Sequence, residues 1–174
     1  MSPEIANTIR KHSKICIIGA GSVGATIAFS LATRKMVSEL VIIDVNTAKA
    51  EGEAMDISHG LVSMAEMNIY CGTYEDIADS DVIVVAAGLG RKPGETRLDL
   101  ATKNVSIAKD VAANIMKHYN GGVILVVANP VDVLTYVIQK ETGLPTGRVF
   151  GTGAVLDSAR FRYLLGEKIG VDVK

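Results

Sequence analysis

Three glycines, Gly19, Gly21 and Gly24, follow a short apolar run and precede residues whose apolar side chains recur at helical spacing. This strand–turn–helix context distinguishes the pattern Gly-x-Gly-x-x-Gly from a chance match. In such a turn Gly19 permits the sharp bend, Gly21 lets the backbone approach a phosphate, and Gly24 lets the helix pack close to the strand. The pattern predicts a turn that binds a dinucleotide pyrophosphate at a helix amino terminus; the alternative is a structural glycine turn.

A carboxylate occupies the position that a dinucleotide site requires next. Asp44 directly follows a second apolar run, residues 40–43, about 20 residues beyond Gly24, where an acid binds the ribose hydroxyls. Val and Asn come next, so no cation follows to accept a 2′-phosphate, which Asp44 itself would repel. The sequence therefore favours NAD over NADP. Tyr74 follows the third predicted strand and either flanks the adenine or packs as a loop residue on the sheet edge.

Residues 88–97 form a second segment whose composition suits a binding site. They contain three glycines, one proline and three basic residues between a predicted strand and a long predicted helix. Glycines near both ends absorb the backbone changes of a lid, and a mobile loop that carries Arg fits an enzyme that closes over an anionic substrate and expels water. The alternative is a solvated basic loop.

Asp157 and Arg160 lie three residues apart in a predicted helix and share a face. An exposed salt bridge would explain them, but this helix is largely apolar, and charges in apolar surroundings need partners, which favours a site. The histidines are not predicted to act in catalysis. His12 lies in the amino-terminal arm, and His59 and His118 end predicted helices, where the helix dipole favours them.

The composition limits the class of protein. The chain has 174 residues, 48% hydrophobic and 21% charged, with a net charge of −1, which is typical of a globular domain and argues against a nucleic-acid surface. The apolar runs are too short to span a bilayer, and residues 1–13 lack the apolar core of a signal peptide. We therefore expect a cytoplasmic protein that binds neither membrane nor metal. Asn104-Val105-Ser106 matches a glycosylation sequon, but it lies in a predicted helix and we expect no modification there.

Predicted strands and helices alternate along the chain, and the strands are continuously apolar, as in a parallel sheet covered on both faces. This order predicts an α/β, doubly wound parallel sheet of six strands, a Rossmann fold, whose ligands bind at the carboxyl ends of the strands. The predicted strands are residues 15–18, 40–43, 68–71, 82–87, 123–127 and 148–151, and the predicted helices are residues 22–34, 47–59, 98–118, 131–141 and 155–168.

Five stretches together resemble the L-lactate dehydrogenase and malate dehydrogenase family, most closely its bacterial L-lactate dehydrogenases. They occur in the order found in the family and span nearly the whole chain. The stretches are residues 19–24 (GAGSVG), 52–60 (GEAMDISHG), 92–100 (KPGETRLDL), 128–132 (ANPVD) and 156–162 (LDSARFR).

The resemblance implies a role for each matching residue. Arg97 corresponds to a lid arginine that polarises the substrate carbonyl, and Arg160 to an arginine that binds the substrate carboxylate through a two-pronged contact. Asp157 corresponds to the carboxylate that orients the catalytic histidine, and Asn129 to a residue that hydrogen-bonds the substrate. Residues at positions that contact NAD in the family are Val23, Asp44, Lys49, Tyr74, Gly88 and Thr152.

The resemblance also implies a homotetramer, and at Arg162 an arginine that in some bacterial members helps to bind a sugar bisphosphate activator. The substrate stays open between pyruvate and oxaloacetate. At the position of Arg91, lactate dehydrogenases usually carry Gln and malate dehydrogenases carry Arg. An Arg there would pair with the second carboxylate of oxaloacetate, whereas with pyruvate it would face a methyl group. The rest of the chain favours lactate.

The resemblance covers the first half of a family member. It implies an NAD-binding Rossmann domain at residues 1–152 and the start of a substrate domain at residues 153–174. The proton-transferring histidine of the family lies in a Gly-Glu-His-Gly segment beyond position 174, so we expect the 174-residue chain alone to be inactive. The interpretation is thus an NAD-dependent 2-hydroxy acid dehydrogenase acting on lactate, with malate as the alternative substrate, or a non-catalytic NAD-binding module.

Overall fold

The computed structural model describes residues 13–61 and 67–172. Its centre is a six-stranded sheet in the order β3-β2-β1-β4-β5-β6, with every neighbouring pair parallel. This is the doubly wound α/β fold that the alternation of elements predicts. The strands are β1 (Lys14–Ile18), β2 (Glu39–Ile43), β3 (Asn68–Cys71), β4 (Val82–Val85), β5 (Val123–Val126) and β6 (Val149–Gly151).

Five α-helices connect or follow the strands, and each predicted helix is present within two residues of its expected ends. The largest difference in a strand is at β4, which ends at Val85 rather than at residue 87. There the chain leaves the ladder and passes against the backbone of Gly19. The helices are α1 (Ser22–Thr33), α2 (Thr47–Leu61), α3 (Arg97–His118), α4 (Val131–Thr142) and α5 (Val155–Ile169), with a 3₁₀ helix at Tyr74–Ile77.

Alternate residues of the strands pack into two separate cores, one on each face of the sheet. In β1, Cys16 and Ile18 point into the core that contains Ala112 and Ile115 of α3, while Ile17 points into the core that contains Ala28 of α1. Successive side chains of a strand point to opposite faces, so burial on both faces requires an unbroken apolar sequence. The continuous Val and Ile runs are thus explained.

The strand registers bring the carboxyl ends together at one edge of the sheet. Ile18 lies opposite Ile43 on one side and Val85 on the other, and Val126 lies opposite both Val85 and Gly151. The residues that follow these strands therefore share one edge. Helix α5, by contrast, is exposed along almost its whole length, with only Gly166 buried.

Over residues 13–61 and 67–172, the structure has no helix that is long and apolar enough to cross a membrane. Within the same ranges, no three His, Cys, Asp or Glu side chains are grouped so that they could hold a metal ion. His12 lies outside the described residues.

Candidate functional site

The turn between β1 and α1 has the backbone geometry that its three glycines predict. Gly19 has φ +109°, and a Cβ there would lie 2.6 Å from the backbone nitrogen of Ala87. A Cβ on Gly24 would lie 1.8 Å from the carbonyl oxygen of Gly19, so the helix meets the turn at backbone contact. Among the described residues, no atom lies within 4 Å of the Cβ position at Gly21. The turn is tight where the chain packs and open where a ligand would approach.

The amino terminus of α1 presents backbone donors to this opening. Gly21 is the N-cap residue and has no side chain with which to cap the helix. The first turn, Ser-Val-Gly-Ala, carries no charge, and the side chain of Val23 is exposed. The first N–H groups of a helix have no intrahelical acceptor, and they lie at the positive end of the dipole. This arrangement fits an anionic group such as a diphosphate.

Asp44 lies next to the turn and is half-buried. Its Oδ2 accepts a hydrogen bond from the backbone N–H of Ala20 at 2.6 Å, and its Oδ1 accepts one from the N–H of Asn46 at 2.8 Å. A carboxylate has about four acceptor positions, so capacity remains for a pair of ribose hydroxyls. The same side chain thus holds the turn to β2 and faces the edge where a ribose would lie beside the diphosphate.

Tyr74 begins the 3₁₀ helix after β3 and packs against the core that contains Cys16. Burial raises the pKa of its phenol above the ordinary value, and the nearby charges of Asp110 and Asp44 raise it further. The ring is therefore neutral and partly apolar, which suits contact with a base, and its packing also fits the alternative of a loop residue on the sheet. Lys49 lies exposed in the first turn of α2.

The segment from Gly88 to Arg97 is held where it enters α3. Thr96 and Asp99 form a reciprocal capping box: the Thr96 hydroxyl accepts from the Asp99 N–H at 3.1 Å, and Asp99 Oδ2 accepts from the Thr96 N–H at 3.1 Å. Arg97 is the first residue of the helix, so the cap fixes its backbone at the carboxyl edge of the sheet. The side chains of Arg91 and Arg97 are both exposed.

Glu95 also stabilises the segment from Gly88 to Arg97. Its carboxylate accepts a hydrogen bond from the backbone N–H of Lys92 at 3.0 Å and forms an ion pair with Lys103 of α3. The Lys103 ammonium, followed by the Lys92 N–H, lowers the pKa of Glu95, and hydrogen bonds from Thr96 lower the pKa of Asp99. Both carboxylates are therefore stabilised in their charged form, and their contacts hold the carboxyl-terminal side of the loop, whereas Arg91 is exposed.

Asn129 follows β5 and is exposed, and its peptide bond to Pro130 is cis. Its backbone carbonyl accepts a hydrogen bond at 2.7 Å from the side chain of Asn104, a residue of α3 that is only 2% exposed. Thr152 follows β6 and donates its N–H to the carbonyl of Val126 at 3.0 Å. Sequence reasoning assigned no binding or catalytic role to Asn104; a polar residue on the apolar face of α3 was the available signal.

On α5 the structure brings Asp157 and Arg160 together. Arg160 Nη1 lies 3.1 Å from Asp157 Oδ1. The side chain of Arg160 is 65% exposed and that of Asp157 is 78% exposed. This is the exposed salt bridge that was the simpler explanation of their spacing, and such a pair contributes little stability. Arg162 lies on the same exposed helix. Asp157 and Arg160 can therefore give up this salt bridge for a ligand at a small cost in free energy.

The chain is similar to known proteins over most of its length. Residues 13–151 match the family described as lactate/malate dehydrogenase, NAD binding domain. The chain belongs to this family. The matched range contains the glycine turn, Asp44, the segment with Arg91 and Arg97, and Asn129, and the cofactor of the family's domain is NAD.

Three relatives illustrate the similarity. The L-lactate dehydrogenase of Thermoanaerobacterium saccharolyticum is 52% identical over 160 residues, which are 92% of this chain and 51% of that enzyme. A solved minor L-lactate dehydrogenase of Enterococcus mundtii is 41% identical with a TM-score of 0.89, covering 94% of this chain and 52% of that one. A malate dehydrogenase of Picrophilus torridus is also 41% identical, with a TM-score of 0.87 and coverage of 93% and 52%. The chain spans about half the length of each.

Proposed function

We propose that this chain is the NAD-binding half of an L-2-hydroxy acid dehydrogenase that interconverts pyruvate and L-lactate. The nucleotide-binding domain would end at residue 152, and residues 153–174 would begin the substrate domain. The geometry of the turn at Gly19, Gly21 and Gly24, beside the carboxylate of Asp44, carries the proposal. The similarity to L-lactate dehydrogenases at 52% identity supports the choice of reaction.

The residues that follow β1, β2 and β3, together with Gly88 after β4 and Thr152 after β6, fit NAD. The N–H groups at the start of α1 would hold the diphosphate, and Asp44 would accept hydrogen bonds from the ribose hydroxyls. NAD, when bound, supplies or accepts the hydride of the reaction. The proposed contacts are Gly19, Gly21, Val23, Gly24, Asp44, Lys49, Tyr74, Gly88 and Thr152.

Residues that follow β4 and β5, together with Arg160 of α5, fit a small 2-oxo acid. Arg160 would bind the substrate carboxylate in the two-pronged geometry that a guanidinium allows. Arg97 would place positive charge against the substrate carbonyl, where negative charge develops during reduction. Asn129 would donate a hydrogen bond from its carboxamide and so orient the same oxygen.

Proton transfer needs a group that the described part of this chain does not place at the site. His59 and His118 lie in the last turns of α2 and α3, and each of these helices begins at the carboxyl edge of the sheet and ends at the opposite edge. Along α3, the rise of a helix separates Arg97 from His118 by about 30 Å. We therefore assign the proton to a histidine of the substrate half, with Asp157 as the carboxylate that orients it.

Malate dehydrogenase is the second candidate, and Arg91 favours it. Its side chain is exposed in the segment from Gly88 to Arg97, and closure of this segment as a lid would bring it to the substrate. A second carboxylate would neutralise this charge in a closed site, whereas pyruvate would leave it without a partner. The overall similarity to L-lactate dehydrogenases places pyruvate first.

Calorimetry with the 174-residue chain tests the nucleotide site. We expect one NADH to bind per chain, and NADPH to bind at least about tenfold more weakly because Asp44 repels the 2′-phosphate. We also expect no turnover by the chain alone. Equal binding of NADH and NADPH would remove the role of Asp44, and absence of NADH binding would overturn the proposal.

Steady-state assays of the complete dehydrogenase test the reaction. NADH oxidation should be faster with pyruvate than with oxaloacetate. The opposite ratio would assign the protein to malate, and no oxidation with either acid would reject a 2-hydroxy acid dehydrogenase. We further propose a cytoplasmic homotetramer, with Arg162 available to a sugar bisphosphate; analytical ultracentrifugation with and without the bisphosphate tests both points.

A further inference from the structure

Asn104 is the most enclosed polar side chain near the candidate site. It lies on α3, is 2% exposed, and makes three hydrogen bonds to backbone atoms of two loops. Its Oδ1 accepts from the N–H of Leu89 at 2.8 Å, and its Nδ2 donates to the carbonyl of Leu89 at 3.2 Å and to the carbonyl of Asn129 at 2.7 Å. Both amide hydrogens and one oxygen lone pair are thus used.

These bonds join the loop after β4 to the loop after β5, beyond the point where the N–H groups of Val127 and Ala128 donate to the carbonyl of Val85 at the end of β4. Leu89 lies in the segment after β4, and Asn129 lies in the segment after β5. The Asn104 amide pairs with both polar groups of Leu89, as a neighbouring strand would, and its second N–H reaches the next loop. Because an unpaired buried amide costs far more than a bond contributes, the three groups are held in one arrangement.

The two loops carry the groups of the proposed reaction. A Cβ on Gly88 would lie 3.5 Å from both polar atoms of the Asn104 amide, so this amide forms the floor beneath the start of the lid. Asn129 itself supplies the proposed carboxamide contact to substrate, and Asn104 holds its backbone rather than its side chain. The position of Asn104 therefore decides how far the lid base lies from the substrate contact.

The hydrogen bonds of Asn114, a second asparagine on α3, provide a comparison. Asn114 is half-buried, and its Nδ2 donates to the carbonyl of Asp110, one turn earlier in α3, at 2.9 Å. This bond, and the one that its Oδ1 accepts from the Lys117 ammonium at 2.9 Å, both stay within α3. All three bonds of Asn104, in contrast, leave the helix.

We infer that Asn104 is a positioning residue that couples the base of the lid, at Leu89, to the substrate-binding turn at Asn129. The inference rests on the proposed function for its catalytic consequence, but the coupling itself is a property of the chain. Asn104 contacts no substrate; it acts through the backbone of the two loops. Small errors in the placement of reacting groups reduce turnover strongly, so the effect of losing this residue should exceed its effect on stability.

Amide hydrogen exchange of the 174-residue chain tests the coupling. Asn104→Asp keeps the acceptor and removes both donors, and Asn114→Asp is the matched control on the same helix. We expect exchange at residues 88–91 and 128–131 to accelerate about ten- to a hundredfold beyond any change that a loss of global stability produces in the strands, and we expect no such local excess in Asn114→Asp. If Asn104→Asp does not fold, Asn104→Ser removes the three bonds without adding a charge and gives the same test.

Kinetics of the complete dehydrogenase test the consequence. With Asn104→Asp we expect kcat/KM for the 2-oxo acid to fall about ten- to a hundredfold, while the Kd for NADH rises by a smaller factor of at most about threefold, because Asn104 supports Gly88 but its hydrogen bonds do not reach the diphosphate turn or Asp44. A uniform rise in exchange, or an equal loss in kcat/KM and NADH affinity, would overturn the inference in favour of a purely structural role. If the unaltered enzyme does not oxidise NADH, the proposed function fails, and the exchange measurement still decides the coupling.

Discussion

The two halves of the carboxyl edge of the sheet differ in how firmly they hold their functional groups. Beyond β1 and β2, the turn is locked by backbone contact at Gly24, and Asp44 is bonded at both oxygens. Beyond β4 and in α5, Arg91 and Arg160 extend into solvent. The groups of the proposed nucleotide half are therefore held by contacts within the described residues, whereas the two arginines of the proposed substrate half are exposed.

This difference has an electrostatic meaning. An ion pair in water contributes little, whereas the same charges act strongly once water is excluded. The side chain of Arg160 is 65% exposed, so its charge is in contact with water. We therefore expect substitutions in the nucleotide half to change binding by the chain alone, and substitutions in the substrate half to change only turnover by the complete enzyme.

Arg160→Lys tests the substrate half and should have the largest effect. Lys cannot form the two-pronged contact to a carboxylate, so kcat/KM of the complete enzyme should fall about a thousandfold, with NADH affinity of the chain unchanged. Arg148→Lys, the same change at the opposite edge of the sheet, is the control and should retain activity. A loss of NADH affinity with Arg160→Lys would contradict the separation of the two halves.

Gly24→Ala tests the nucleotide half. The added methyl group would lie 1.8 Å from the Gly19 carbonyl oxygen, so α1 must move from the turn. We expect NADH affinity of the chain to fall about a hundredfold and the free energy of unfolding to fall by about 2–3 kcal/mol, measured by calorimetry and urea titration.

Gly52→Ala is the matched control for that change. Gly52 also lies in a helix, and in the described part of the chain no atom comes within 4 Å of its Cβ position. The same substitution should there raise the free energy of unfolding by up to about 1 kcal/mol, since Ala is the better helix former, and leave NADH binding unaltered. Equal losses in both variants would show that helix composition, rather than contact at the turn, controls binding.

Arg91→Gln sharpens the comparison within the lid. Removal of this charge should raise the ratio of kcat/KM for pyruvate to that for oxaloacetate about tenfold or more. Lys92→Gln, which removes the neighbouring charge, serves as the control. If both variants leave the ratio unchanged, Arg91 does not face the substrate.

The smallest expected effect is the response of the lid to acid. The pKa values of Glu95 and Asp99 are lowered in the folded chain, by Lys103 and by Thr96 respectively. Their stabilisation is therefore complete above the unfolded pKa values, about 4, and is lost as the pH falls through the lowered folded values. The protection of the amides at residues 92–99, relative to their intrinsic exchange rates, should fall below about pH 4, before that of the strands, and Glu95→Gln should remove part of this dependence.

Much of the fold is predictable because its signals are local. The Val and Ile runs, the helical spacing in α3 and the three glycines each depend on a few neighbouring residues, and each element is present. The Thr96-to-Asp99 capping box is also visible as a Thr-x-x-Asp pattern before a periodic run. Strand ends differ by a residue or two because the chain leaves a ladder where another segment passes, as at Gly19.

The contacts between distant segments are less predictable. Asn104 drew attention only as a sequon, because neither Leu89 nor Asn129 is its neighbour in the sequence. The bond from Ala20 to Asp44 likewise joins two turns, and the motif predicts the acid without predicting that it also braces the glycine turn. The spacing of apolar residues does not predict that α5 is exposed, since these residues occur on all sides of the helix.

The backbone contact at Gly24 has a consequence for the thermodynamics of binding. The donors at the start of α1 are backbone N–H groups, and the N-cap residue Gly21 has no side chain that a ligand must displace. Main-chain donors held in this way lose no rotamer freedom when a ligand binds. The main chain would therefore recognise the diphosphate with donors whose positions are set before a dinucleotide binds.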